Sequence, residues 1–396
     1  MGTASVVYLP DGQQVLLPII PRTWVDAGPT TPGDALRARL LTTDASGGAA
    51  WFRQRPLFHG IATLAQSIPA STWTSVTGLS ELIDNYAGHS DASNTGRYYA
   101  PETNTGADWY LCTGLVPFST NSTTDTHIAG LRVNGTTNYE GMRLPGGPGH
   151  VLTSAVIDLI QLDGAAGDYV ELGAWHNESS AVNTVVSSKL PSLQVRWVSS
   201  GITTTPATPA NPHTWTDTDI YTGSVTGAGR VPLNTELRDA LMFLLNPPMF
   251  RVHCSGTSQT IPSGAGTWTP ITFTGKSVDP YGMWSSGATV TCQRAGLYYV
   301  AGLAGCTEAS SKTGYRASRI HQTLAAGGSQ DYYGVSAVPM TGSKTTGTTL
   351  LVDAWIRMAV GDTLQLQFDH TNSSSLSVLG TSASVSARMI GLWAAR

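Results

Sequence analysis

Charge is scarce in this chain of 396 residues. Asp, Glu, Lys and Arg make up 12% of it, about half the usual share. The net charge of −4 offers no basic face for a phosphate backbone, which excludes nucleic acid as a partner. Lysine is confined to Lys189, Lys276, Lys312 and Lys344. The four cysteines, Cys112, Cys254, Cys292 and Cys306, form no C-x-x-C pair, so the expectation is buried free thiols and not a disulfide frame. No apolar run approaches membrane-spanning length, which excludes insertion by helices. Met1 to Val6 lacks the basic and apolar regions of a signal peptide, and the expectation is a protein made in the cytoplasm and not exported by that route. Catalytic patterns are missing too. There is no G-x-S-x-G elbow, no H-E-x-x-H and no Cys/His set at zinc spacing, so the chain reads as non-enzymatic, with no cofactor and no metal. Asp158 and Asp353 carry oxygens of the type calcium takes, but no acidic cluster surrounds either in sequence.

What the chain has is glycine, 43 of them, together with abundant Thr and Ser. That is the composition of short strands joined by tight turns. Thr363 to Phe368 alternates, with Leu364, Leu366 and Phe368 on one face; Tyr169 to Ala174 alternates in the same phase, with Val170, Leu172 and Ala174 on one face. A period of two marks antiparallel strands with one buried side. Leu297 to Val300 and Leu350 to Trp355 read as further strands.

The two alternating runs belong to a duplication. Pro21 to Asp26 matches Pro212 to Asp217, and an ordered series of pairs follows: Trp73/Trp268, Tyr110/Tyr298, Gly114/Gly302, Ile157-Asp158/Val352-Asp353, Gly167-Asp168/Gly361-Asp362, His176/His370 and Trp197/Trp393. Order conserved over so many pairs indicates a tandem repeat of one architectural unit. Recurrence assigns His176 and His370 a role in the fold, such as a turn hydrogen bond. Asp168 and Asp362 read as turn formers, and the matched tryptophans as core or trimer packing.

The repeat divides the chain. Residues 1–20 hold two apolar runs around Asp11-Gly12 and read as a hairpin that needs another protein surface; Tyr8, Leu9, Leu16 and Leu17 are its docking residues. Residues 21–56 form an entry segment with a degenerate helix, and residues 57–200 the first β-domain. Residues 201–249 form a Pro/Thr connector, a loop carrying Trp215 and a short helix. In that helix Asn234 caps the start, Leu237, Leu241, Leu244 and Leu245 share one face, and Pro247-Pro248 ends it. Residues 250–396 form the second β-domain.

Two resemblances follow from these residues. Trp215-Thr216-Asp217, then Leu233-Asn234-Thr235-Glu236-Leu237-Arg238-Asp239, resembles a module of minor tail and other structural proteins of tailed bacteriophages. Ala295-Gly296-Leu297-Tyr298-Tyr299-Val300, then Val360-Gly361-Asp362-Thr363-Leu364, is similar to the C1q/TNF-like jelly roll, although Val300 stands where that family usually has Phe. In the first copy Asp108-Trp109-Tyr110 replaces Gly-Leu-Tyr. The implied fold is mainly β: two tandem antiparallel jelly rolls, each preceded by a Trp loop and a short helix. The implied assembly is a homotrimer packed through Leu237, Leu241, Leu244 and Trp215. The implied function is a virion protein at the tail tip. It would dock on other tail or capsid proteins through its N-terminus and face host surface glycan, with Trp284 on an exposed loop as a stacking platform. The alternatives are a capsid decoration or head-fibre trimer, and a glycan depolymerase, for which no paired acids stand out.

Overall fold

Alternation of apolar and polar residues converts into paired strands once each strand finds a partner to bury its inner face. The computed structural model describes the strand backbones 5–8 and 14–17, and residues 55–101, 107–120, 125–145, 151–187, 189–200, 243, 246–256, 259–307, 314–333, 338–339, 347–378, 380 and 387–395. Strands β1 (Ser5–Tyr8) and β2 (Gln14–Leu17) pair antiparallel, with Val6 opposite Leu16. Leu9, Trp215, Leu237, Leu241 and Leu244 lie outside the described residues, as do both expected entry helices apart from Phe243.

The first module contains β3 (Leu57–Ala62), β4 (Ser67–Ile68), β5 (Thr74–Ser75), β6 (Leu79–Asp84), β7 (Arg97–Tyr99), β8 (Asp108–Ser119), β9 (Thr126–Val133), β10 (Thr137–Pro145), β11 (Val151–Leu162), β12 (Tyr169–His176), β13 (Val182–Asn183) and β14 (Ser192–Ser199). The second contains β15 (Met249–His253), β16 (Thr260–Ile261), β17 (Thr269–Pro270), β18 (Gly275–Val278), β19 (Val290–Thr291), β20 (Gly296–Thr307), β21 (Tyr315–Thr323), β22 (Ser329–Tyr333), β23 (Val338–Pro339), β24 (Thr348–Met358), β25 (Thr363–His370), β26 (Leu376–Val378) and β27 (Arg388–Ala395).

The strand orders coincide. The first sheet of the first module runs β11-β8-β14-β3-β6, and its counterpart runs β24-β20-β27-β15-β18. The second sheets run β10-β9-β12-β5 and β22-β21-β25-β17, with β7 and β19 added to equivalent strands. Irregularities recur as well. A bulge skips Val198 on β14 and the equivalent Ala394 on β27. Another skips Leu82 on β6 and the equivalent Ser277 on β18. A bulge is a positional device that re-aims a strand, so its recurrence marks one ancestral unit. These are two tandem antiparallel jelly rolls.

Each module has its own core between its sheets. Val170, Leu172 and Ala174 meet Tyr110, Val156 and Ile160 in the first; Leu364, Leu366 and Phe368 meet Tyr298, Val352 and Ile356 in the second. The register corrects one sequence match. Tyr110 lies opposite Ile160 and Tyr298 opposite Ile356, so Asp158 is equivalent to Ala354 and Ile157 to Asp353. The pairing of Asp158 with Asp353 is therefore out by one residue, and a one-residue slip moves a side chain to the other face.

His176 and His370 share one geometry. Their Nε2 atoms lie 2.8 and 3.1 Å from the carbonyls of Ile68 and Ile261, and their Nδ1 atoms accept from the amides of Glu178 and Asn372. That fixes the Nε2–H tautomer and ties β12 to β4 and β25 to β16. The Asp362 carboxylate accepts from the amides of Ala325 and Ala359, and that of Asp168 from Asp163, so both close turns. All four cysteines are free and buried.

Candidate binding cleft between the modules

The modules are fused by a third apolar cluster. The first contributes Trp109, Leu111, Ile157, Leu159 and Val198 from β8, β11 and β14; the second contributes Met249, Tyr299, Ala301, Ile390 and Leu392 from β15, β20 and β27. These are the outer faces of the two first sheets. One backbone pair, Arg143 with Thr349, also joins β10 to β24.

A buried ion cluster sits beside this contact. Arg251 on β15 holds Asp158 on β11 with both carboxylate oxygens engaged, Nε to Oδ1 at 2.7 Å and Nη2 to Oδ2 at 3.0 Å. Arg388 on β27 places Nε 2.8 Å from Asp158 Oδ2, an ion pair without a hydrogen bond, and donates through Nη2 to the carbonyl of Glu140. The Arg251 guanidinium lies 5.4 Å from the Tyr139 ring centre. Burial pushes the Asp158 carboxyl up, but Arg251 and Arg388 outweigh it and the net direction is down. The two arginines saturate this carboxylate, so Asp158 is no calcium ligand.

Where the fused sheets diverge, a cleft of about 300 Å³ opens. Arg55, Leu111, Thr113, Gln194 and Arg196 form the wall from the first module; Tyr299, Trp355, Leu392 and Trp393 form the wall from the second. Trp355 is 57% exposed, and its ring lies 5.1 Å from that of Tyr299. The Tyr299 hydroxyl donates to Asp353 Oδ2 at 3.1 Å. Arg55 lies 5.2 Å from the Trp197 ring centre. Its pKa is lowered by burial and by the neighbouring Arg196 charge. The cleft lining contains two arginines and no carboxylate.

Several sequence expectations change here. Trp284 is only 8% exposed, belongs to the second core, and donates its Nε1–H to the Gly287 carbonyl; it is no exposed stacking platform. Trp73 and Trp268 are not core residues. Trp268 is half-buried on the outer face of its sheet, with Arg319 4.3 Å from its ring centre. Trp73 is half-buried and lies against Gly130 and Gly173. Trp197 does fill the first core. The exposed tryptophan at the cleft, Trp355, stood in the sequence without a tryptophan partner, and that was its one signal.

Among the described residues, one group brings three metal-type ligands together: Glu81, His89 and Asp91. The His89 ring nitrogens lie 2.7 and 2.9 Å from the carbonyls of Arg97 and Leu79, so both already face backbone partners.

No family model and no curated protein matches the chain. Among solved structures, the globular domain of zebrafish complement 1qA is 19% identical over 38% of this chain and 98% of its own, with a TM-score of 0.25. Murine APRIL, crystallised at pH 8.5, is 13% identical over 36% and 98%, with a TM-score of 0.26. Eiger TNF from S. frugiperda is 14% identical over 38% and 95%, with a TM-score of 0.27. The jelly-roll assignment itself rests on the strand order described above.

Proposed function

We propose that this chain is a non-enzymatic structural protein of a tailed-phage virion, a minor tail protein of the tail tip that assembles as a homotrimer and contacts the host surface. One observation carries the reading: the duplicated jelly roll is fused into a single body by a buried apolar and ionic contact. Such a body suits a mechanical and binding role. The entry-segment resemblance around Trp215 and Asn234 supplies the phage context, and the Leu237, Leu241 and Leu244 face supplies a reason to trimerise. The β1–β2 pair is a two-stranded unit too small to stand alone in water, which fits docking on a neighbouring virion protein.

Gold-labelled antibody against the protein, imaged on intact particles, tests this. Label at the tail tip is the expected result. Label on the head would replace the tail reading with a capsid decoration or head fibre, and particles without the protein would overturn both.

A further inference from the structure

The contact between the modules joins different sides of the two repeats. The first module uses its β8/β11 side, through Ile157 and Leu159; the second answers with its β15/β27 side, through Met249, Ile390 and Leu392. Each of these sides has a twin in the other module. By register, the twins of Ile157 and Leu159 are Asp353 and Trp355, and the twins of Met249, Ile390 and Leu392 are Leu57, Gln194 and Arg196. Gln194 and Arg196 from one twin and Trp355 from the other meet at the same cleft. The cleft thus repeats the pairing of sides made in the apolar contact, with one wall cationic and polar and the other aromatic.

We infer that this cleft binds an anionic saccharide unit, with the sugar ring against Trp355 and Tyr299 and the acid group at Arg196 and Arg55. The assignment deepens the host-attachment reading and rests on it. Arginine presents a planar fork of donors matched to carboxylate and phosphate. An exposed indole offers a flat apolar face, and the Gln194 and Thr113 side chains add donors and acceptors for hydroxyls. The volume lies at the small end of ligand sites, roughly 300–1,000 Å³, which suits one ring and not a protein partner. Arg196 and Trp355 are both exposed on sheet faces, so replacing either leaves the cores intact.

The test is calorimetric titration of the full-length protein with three probes: a galacturonate oligosaccharide, glucose 1-phosphate and a neutral galactose oligosaccharide. Binding of the first or second, with no binding of the neutral probe, is expected; which of the two binds identifies the acid group. Arg196→Gln and Trp355→Ala should each weaken binding by roughly tenfold or more, with unchanged circular dichroism and urea midpoint. Trp355→Phe should retain most of the affinity, and high salt should weaken it. No binding by either acidic probe, equal binding of the neutral sugar, or affinity unaffected by both loss variants would overturn the assignment. The two proposals fail separately. Protein on virions without sugar binding removes the ligand alone, and sugar binding by a protein absent from virions removes the attachment role alone.

Discussion

At the scale of the residue, the recurring histidines show how position constrains chemistry. His370 bridges two backbone groups in a fully buried place. His370→Ala leaves the Ile261 carbonyl and the Asn372 amide without that partner, and should cost about 1–3 kcal/mol, read as a lower urea midpoint at unchanged slope; His176→Ala should behave alike. His127 is different. Its Nε2 lies 2.9 Å from Glu178 Oε1, and its ring stacks 5.8 Å from that of His176. Burial lowers its pKa to about 4, against an opposing pull from Glu178 and with a further push down from His176. A histidine depressed in the fold binds its proton more readily when unfolded. Its stabilisation is complete above the unfolded value of about 6.5 and is lost as pH falls from there to about 4, on the order of 3 kcal/mol. Urea midpoints should therefore fall between pH 7 and pH 4.5, and His127→Gln should flatten that slope. His59 and His253 are lowered as well, so the comparison between wild type and variant carries the test. A variant as pH-sensitive as the wild type would exclude this role for His127.

Between elements, close approach is what the sequence conveys least. Gly114 and Gly302 occupy equivalent places on β8 and β20. A Cβ at Gly114 would stand 2.6 Å from a Leu172 methyl, and one at Gly302 equally close to a Leu366 methyl. The glycines thus let the opposite sheet approach. Gly302→Ala should destabilise the second module by about 1–3 kcal/mol through overpacking, measurable by thermal unfolding; an unchanged midpoint would mean that the Leu366 side chain moves aside freely. The strands β12 and β25 were legible because alternation is strict where one face is buried, and the matched order of residues exposed the duplication. The register of β11 against β24 was not legible. Both strands carry an aspartate beside an aliphatic residue, and only cross-strand pairing shows which faces inward. The Asn134-Gly135 dipeptide carried an available turn signal: both residues have positive φ, and Thr136 donates to the Val133 carbonyl to close the β9–β10 connection. Trp284 misled because its loop neighbours are polar, whereas its ring is covered from the second core. The cleft was invisible in sequence, since its walls come from residues as distant as Arg55, Arg196 and Trp355.

For the whole molecule, the contact between the modules closes on itself. The β8/β11 side of the first meets the β15/β27 side of the second, and their twins, β14 with β20 and β24, meet at the cleft, the reciprocal pattern of an isologous contact, which leaves no complementary end to grow from. Asp158 sets the strength of the internal contact. Asp158→Asn leaves Arg251 and Arg388 buried without their counter-charge, which should cost about 3–5 kcal/mol and separate the unfolding of the two modules into distinct transitions by calorimetry. The native carboxyl is held low, so its stabilisation is present above the ordinary carboxylate range and is lost only as pH falls below it; a junction that loosened on raising the pH instead would contradict this arrangement. The two halves of this contact differ in polarity. Gln194 and Arg196 stand where the second module has Ile390 and Leu392, and Asp353 stands where the first has Ile157. Polar groups are costly to bury without partners, so the cleft stays open where its twin contact is closed. Exchanging the residue types should close it. Gln194→Ile with Arg196→Leu on one wall, and Asp353→Ile with Trp355→Leu on the other, recreate the residue types of the closed half. The four-fold variant should unfold at a higher temperature than the wild type by calorimetry, whereas either pair alone should not. A four-fold variant with the wild-type midpoint would show that shape, and not polarity, holds the cleft open.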